Sequence, residues 1–221
     1  MNKWNTELAD KTSVFETFAE LVKAIANGRR LELLELLAQG EHSVEGLANL
    51  TGMGMTTAST HLQTLHRAGL VNRRKERTTV YYRVSGDEVA ELYTAAKRVA
   101  LNRSPRLRDA LDTYMGRPQA QGPVVDPAAV TADMHVIDVR PAEEYRAGHF
   151  PGAVSVPLAE VEDRIAEIPA DREIVVYCRG ELCRLAREAA ALLRAHGLDA
   201  KAMDEGVVEW RASKEVDLGV A

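Results

Sequence analysis

The stretch STHLQTLHRAGLVNRRKERTTVYYRV, Ser59–Val84, decides how the first half of this 221-residue chain is read. Leu62, Leu65 and Leu70 would hold one face of a helix, MTTASTHLQTLHRAGLV, against a core. The period then changes to two: Val71-x-Arg73 and Thr78-x-Val80-x-Tyr82-x-Val84 flank the polar RRKER, which reads as a β-hairpin. Working back, Ser43 can cap a helix SVEGLANLTG, and the turn TGMG leads from it into the helix that carries Ser59. Further upstream, Val14, Phe18, Leu21, Val22 and Ile25 line one helical face. Leu31, Leu33, Leu34, Leu36 and Leu37 line another, with Gly28 and Gly40 as the stops. Beyond the hairpin, DEVAELYTAAKRVALNRS is helical and Pro105 starts a short helical tail through Tyr114.

The remaining sequence reads differently. His135–Val139 (HVIDV) and Ile174–Tyr177 (IVVY) are short apolar runs of buried-strand type, VSVPL is a weaker one, and CRLAREAAALLRAHG is an amphipathic helix ended by Gly197. Strand and helix in alternation imply an α/β fold around a parallel sheet. Between the halves, Gly116–Ala129 holds three Pro and two Gly without periodicity, which suits a linker. The expected organisation is therefore a mainly α domain over residues 1–115, a linker over 116–129, and an α/β domain over 130–221.

Composition agrees with two soluble domains: 46% of residues are hydrophobic and 28% charged. The longest apolar runs, Ala189–Leu193 and Ile174–Cys178, span five residues, too few to cross a bilayer, so no membrane partner is expected. MNKWNTELADKTSVFETF has no apolar leader segment, and two Cys in 221 residues argue against a disulfide-stapled secreted scaffold. The reading is cytoplasmic, where a thiol serves chemistry. Net charge is −5, but residues 1–116 carry 16 Lys/Arg against 14 Asp/Glu while 117–221 carry 12 against 19. The halves should therefore meet different partners.

Two short helices joined by a Gly-containing turn and followed by an Arg-rich hairpin form the pattern of a winged helix-turn-helix. Thr56, Thr57, Ser59, Thr60, His61, Gln63 and Thr64 would present hydrogen-bonding groups to base edges in a major groove. Arg73, Arg74, Lys75 and Arg77 would give a cationic wing for phosphates. Ser59, His61, Leu62, Leu65, Ala68, Gly69, Leu70 and Val71 match Ser-x-His-Leu-x-x-Leu-x-x-Ala-Gly-Leu-Val, so residues 13–103 resemble the ArsR-family repressors. The resemblance implies a homodimer, paired through the first and last helices of this half, on a twofold-symmetric double-stranded operator. Metal-sensing members use Cys in the helix before the recognition helix, or His and carboxylates in the last helix. SVEGLANLTG has no Cys and DEVAELYTAAKRVALNRS no His, so no metal site is expected, and His42, His61 and His66 are read as surface or packing residues.

In VVYCRGELCRLAREA, Cys178 follows a buried strand and precedes a helix, where backbone N–H groups and the helix dipole favour a thiolate. Arg179 and Arg184 add positive charge. Asp126–Leu218 resembles the rhodanese domain, the persulfide-forming sulfurtransferase module. The motifs are Asp138-x-Arg140, then Glu144, Tyr145, Gly148, His149, Pro151, Gly152 and Ala153, then VVYCRGELC, then Gly206-x-x-x-Trp210. The resemblance implies that Cys178 is the nucleophile, that Arg179, Gly180, Glu181, Leu182 and Cys183 complete its loop, and that Asp138, Arg140 and His149 are structural. Such loops usually close with Arg; here Cys183 stands there, with Arg184 one step later. Cys183 could then resolve a persulfide on Cys178.

These readings converge on a transcriptional regulator, a repressor by resemblance, that senses sulfane sulfur or an oxidant through Cys178 and Cys183 without a cofactor. A rhodanese-type sulfurtransferase tethered to a DNA-binding domain is the alternative, so enzyme activity stays open. An arsenate reductase-like use of Cys178-x5-Arg184 ranks third, since Tyr177 stands where such enzymes have His.

Overall fold

The computed structural model describes residues 10–116 and 122–220. Its first half contains six helices: α1 (Lys11–Ile25), α2 (Gly28–Leu37), α3 (Val44–Thr51), α4 (Met55–Arg67), α5 (Asp87–Arg103) and α6 (Pro105–Met115). Three strands, β1 (His42–Ser43), β2 (Val71–Glu76) and β3 (Thr79–Val84), form an antiparallel sheet in the order β1-β3-β2. Four of the six helix starts, those of α1, α2, α3 and α6, carry side-chain caps. Asp10 accepts from Ser13 N at 2.8 Å, Ser43 from Gly46 N at 2.9 Å and Ser104 from Leu107 N at 3.2 Å, the last with Pro105 in the first turn. Gly28 does not end α1 but begins α2, because Asn27 caps that helix through Arg30 N. Gly52, at φ 65°, closes α3 and turns the chain into α4, whose Ala58, Leu62 and Leu65 are buried. The wing pairs Val71 with Val84 through to Glu76 with Thr79, leaving Arg77 and Thr78 as the turn. Leu33, Leu34, Leu37, Leu47, Leu62, Leu65, Leu70 and Tyr82 make the core. The apolar face of α1 does not join it fully: Phe15 and Phe18 are 59% and 61% exposed.

The second half is a five-stranded parallel sheet in the order β4-β8-β7-β5-β6. Its strands are β4 (Val124–Val125), β5 (His135–Asp138), β6 (Val154–Ser155), β7 (Ile174–Tyr177) and β8 (Ala200–Met203), with helices α7 (Ala142–Ala147), α8 (Leu185–Ala195) and α9 (Val207–Ser213). Strand alternation divides β7 between two cores. Ile174, Val176 and the following Cys178 face Ala186, Ala189, Ala190 and Leu193 of α8, while Val175 and Tyr177 face Val207 and Trp210 of α9. The mainly α winged helix-turn-helix and the α/β domain with a central parallel sheet are thus both present. Val124–Val125, within the stretch read as linker, pairs with β8; residues 117–121 of that stretch lie outside the described residues.

The halves pack directly on each other. Val208 of α9 is buried in the core of the first half, Ala212 packs beside it, and a Cβ on Gly40 would come within 2.7 Å of the Ala147 Cβ. Asp87 at the start of α5 pairs with Lys214 and Arg211.

Candidate functional site

Both sulfurs lie where β7 hands over to α8. Cys183 N donates to Gly180 O at 2.9 Å, which closes the loop and delays the helix to Leu185. Cys178 is buried, at 3% exposure, and its Sγ–H donates to the Cys183 carbonyl at 3.2 Å. The two side chains are also within hydrogen-bonding reach of each other, and both cysteines are free thiols. Backbone N–H groups of Gly180 and Ala186 point at the Cys178 sulfur, and those of Leu185 and Arg179 at Cys183. The first turn of α8 therefore serves both thiols.

The environment separates the pair. Burial, and then the hydrogen bond and charge of Cys183, push the Cys178 thiol well above its usual range. The hydrogen bond from Cys178 outweighs burial at Cys183 and, with the Leu185 N–H and the Arg179 guanidinium, lowers that thiol to about 6. Of the two sulfurs, Cys183 is the readier to ionise.

Each charged side chain of the loop has an oppositely charged partner. The Arg179 guanidinium forks onto the buried Glu144 carboxylate at 2.7 and 2.9 Å. Arg184 pairs with Glu188 at 2.7 Å and lies over the Tyr114 ring of α6, 5.3 Å from its centre. The Glu181 carboxylate meets Lys97 of α5 at 2.9 Å, Leu182 is half-buried, and Gly180 is buried against Val208 and Glu209. Asp138 and Arg140 form a fully buried pair at 2.6 Å, and the Tyr177 hydroxyl donates to the same carboxylate at 2.6 Å. His149 stacks on Tyr145 and shares a hydrogen bond with its carbonyl.

Several side chains at this seam carry no sequence motif. Glu35 of α2 lies within electrostatic reach of Cys183, Glu209, Arg179 and Lys97; burial, then the charges of Cys183 and Glu209, raise its carboxyl to about 7. Gln39, wholly buried, donates to Arg179 O at 3.2 Å and accepts from Arg140 at 3.0 Å. His42 places its Nε2 3.9 Å from Glu144, and burial lowers its pKa. Gln39 and Arg179 are 140 positions apart, so no spacing rule could pair them; the only hint is a polar residue at the end of a leucine-rich helix.

On the helix-turn-helix, α4 presents Thr56, Thr57, Thr60 and Gln63 as exposed residues and Ser59, His61 and Thr64 as half-buried ones. Thr60 and Thr64 hydroxyls bond back to the carbonyls of Thr56 and Thr60, and Gln63 bonds to Ser59. On the wing, Arg74 is held by Glu41 and Glu76 and lies over Tyr81, whereas Arg73, Lys75 and Arg77 are exposed and make no ion pair among the described residues. Arg77 occupies the left-handed region at φ 55°.

Residues 27–73 match the family described as bacterial regulatory protein, arsR family, and residues 126–213 match the rhodanese-like domain. The HTH-type transcriptional regulator Rv0324 of Mycobacterium tuberculosis is 43% identical over 95% of this chain and 94% of its own length. The transcriptional activator HlyU of Vibrio cholerae is 42% identical over 36% of this chain and 73% of its own. Among solved structures, a homodimeric winged helix-turn-helix DNA-binding domain from Mycobacterium bovis is 46% identical, with a TM-score of 0.41, over 44% of this chain and 91% of that one. A parallel-sheet domain with a cysteine loop, fused behind a winged helix-turn-helix and matched by a regulator over nearly all of both chains, places the chain in one family: it belongs to the arsR-family transcriptional regulators that carry a rhodanese-like domain.

Proposed function

We propose that this regulator binds a double-stranded operator as a homodimer through α4 and the wing, and that its rhodanese-like domain senses a small sulfane-sulfur donor or oxidant through Cys178 and Cys183. The observation that carries the reading is the thiol pair itself: two adjacent free sulfurs at one helix N-terminus, one favouring the thiol and the other the thiolate. Dimerisation is supported by the uncovered Phe15 and Phe18 of α1. DNA binding is supported by the unpaired cations Arg73, Lys75 and Arg77 beside the exposed threonines of α4.

The burial of the two thiols and the directions of their shifts support the reverse division of labour from the family loop. Cys183, less buried and the readier of the two to ionise, attacks as the thiolate the outer sulfur of a hydropersulfide RS–SH; RS⁻ leaves and takes up a proton. Cys178 then loses its proton and attacks the Cys183 sulfur, expelling HS⁻. The sum is one hydropersulfide plus two thiols giving one disulfide, the thiol RSH and hydrogen sulfide, with two electrons passing from the cysteines to the sulfane sulfur.

The test is intact-mass analysis of the full chain after polysulfide or peroxide, beside affinity for duplexes that the reduced protein selects from a random pool. A gain of about 32 Da per sulfur atom, or a loss of about 2 Da for a disulfide, with a changed affinity is the expected result. An unchanged affinity, or a Cys183→Ser variant responding as wild type, overturns the sensing role. Likeness to a sulfurtransferase of Allochromatium vinosum, 39% identical over 23% of this chain and 48% of that protein, favours the enzyme as second reading. Sustained thiocyanate formation from thiosulfate and cyanide would select it.

A further inference from the structure

The two sides of the thiol loop are held by side chains that belong to the other half of the molecule. Gln39, at the end of α2, has no solvent exposure, and its amide faces across the seam on both ends. Its nitrogen donates to the carbonyl of Arg179, the residue after Cys178, at 3.2 Å, and its oxygen accepts from Arg140 at 3.0 Å. Lys97, on α5, is 7% exposed at the side chain; it meets the Glu181 carboxylate at 2.9 Å and also the Glu209 carboxylate. Burial works against its charge, but Glu209 and Glu181 more than offset that, and its pKa stands above the ordinary value. Glu209 in turn accepts from Gly206 N at 3.0 Å and from Glu181 N at 3.4 Å.

We propose that Gln39 and Lys97 are the positioning residues of the thiol loop, and that bond formation at its sulfurs is passed through them to α2 and α5. This rests on the sensing role proposed above. The loop has no slack in which to absorb a change. A Cβ on Gly206 would meet Cys178 O and Gly180 N, and a Cβ on Gly180 would come within 2.6 Å of the Val208 side chain. Val208 is itself locked into the core of the first half. Closing a disulfide draws the two sulfurs from hydrogen-bonding separation to about 2.05 Å and withdraws the thiolate that the Leu185 and Arg179 N–H groups hold. A displacement on the order of 1 Å must then appear between Arg179 and Glu181, where Gln39 and Lys97 are attached, because close-packed seams shift between discrete arrangements instead of deforming smoothly.

The test uses the full reduced chain, a thiol oxidant of the azodicarboxamide type as the probe, intact mass to confirm a loss of about 2 Da, and amide hydrogen exchange read over α2 and α5. In wild type, exchange across 87–103 and 28–37 should accelerate at least threefold once the disulfide forms. Gln39→Ala and Lys97→Met should form the same disulfide with less than a third of that acceleration, and Lys97→Arg should restore it. Near-ultraviolet circular dichroism of the reduced variants confirms that each retains its packing. Disulfide formation without faster exchange in wild type, or with equal acceleration in both variants, overturns the proposal. No mass change in wild type removes the sensing role and this inference with it.

Discussion

Replacing Cys178 by Ala tests the electrostatics of the thiol pair most directly. The Cys178 side chain lies within hydrogen-bonding reach of the Cys183 side chain, and that interaction is the largest influence holding Cys183 at about 6. A hydrogen bond to an ionised group is worth about 1.5–3 kcal/mol, and one pKa unit corresponds to about 1.36 kcal/mol. Losing the donor should therefore raise Cys183 by about 1–2 units. At pH 6 the thiolate fraction would fall from about one half to between about 0.01 and 0.1. The rate at a single pH would mislead, because a thiolate with a higher pKa is intrinsically more nucleophilic, by about 3–8-fold over that range. The midpoint of the pH–rate profile is the proper readout. Iodoacetamide labelling of Cys183, followed by mass spectrometry between pH 4.5 and 10, should give a midpoint near 6 in wild type and about 7–8 in Cys178→Ala, with a higher plateau in the variant. A variant midpoint equal to or below that of wild type would refute the reasoning.

The pH dependence of Glu35 has a definite sign. Its folded value is raised from 4.5 to about 7, so the ionised carboxylate penalises the fold above that pH, and the penalty vanishes below 4.5, where both states are protonated. Glu35→Gln should therefore be more stable than wild type by up to about 3 kcal/mol at pH 8 and indistinguishable at pH 4, as read by urea unfolding; a constant difference would contradict the assignment. Asp138→Ala leaves the Arg140 guanidinium and the Tyr177 hydroxyl buried without their carboxylate, and should cost about 3–5 kcal/mol in the same assay. Truncating Arg73, Lys75 or Arg77 to Ala should each reduce the salt slope of DNA binding by about one, whereas Arg74→Ala, already neutralised by Glu41 and Glu76, should leave it unchanged. Equal slopes for all four would remove the wing from the interface.

What the sequence shows about the fold depends on whether a signal is local. Ser43 as a cap, Pro105 as a helix start and the switch from helical to alternating period at Val71 are properties of neighbouring residues, and each appears in the structure where the pattern places it. Ala200–Met203 escapes such reading because Ala-Lys-Ala-Met has no β-branched residue; its strand exists because β7 and β4 flank it. Val124–Val125 is similar, two residues in a Pro- and Gly-rich stretch that acquire a partner only in the folded sheet. The two cysteines stand out in the sequence through their spacing before a helix, but their difference does not. That comes from the depth of Cys178, from the contact between the two side chains, and from the Leu185 N–H and the Arg179 guanidinium beside Cys183.

The same seam limits how large a response this arrangement can give. A linker of Pro and Gly would transmit little, so the coupling must pass through the direct contacts. Gln39 to Arg179 O is a neutral buried hydrogen bond, worth about 1 kcal/mol net. Lys97 to Glu181 engages a carboxylate that is 41% exposed, so screening holds it below about 1 kcal/mol. If thiol bonding breaks both, the first half gains or loses about 1–2 kcal/mol of bias, which corresponds to about a 5–30-fold change in operator affinity. The buried Lys97–Glu209 pair and the Val208 anchor lie behind that boundary and persist, so the halves remain docked in either state. Under the sensing role proposed above the device would be a graded one: oxidation would shift operator occupancy across a narrow range of regulator concentration, and a response of several thousandfold would require contacts beyond those at this seam.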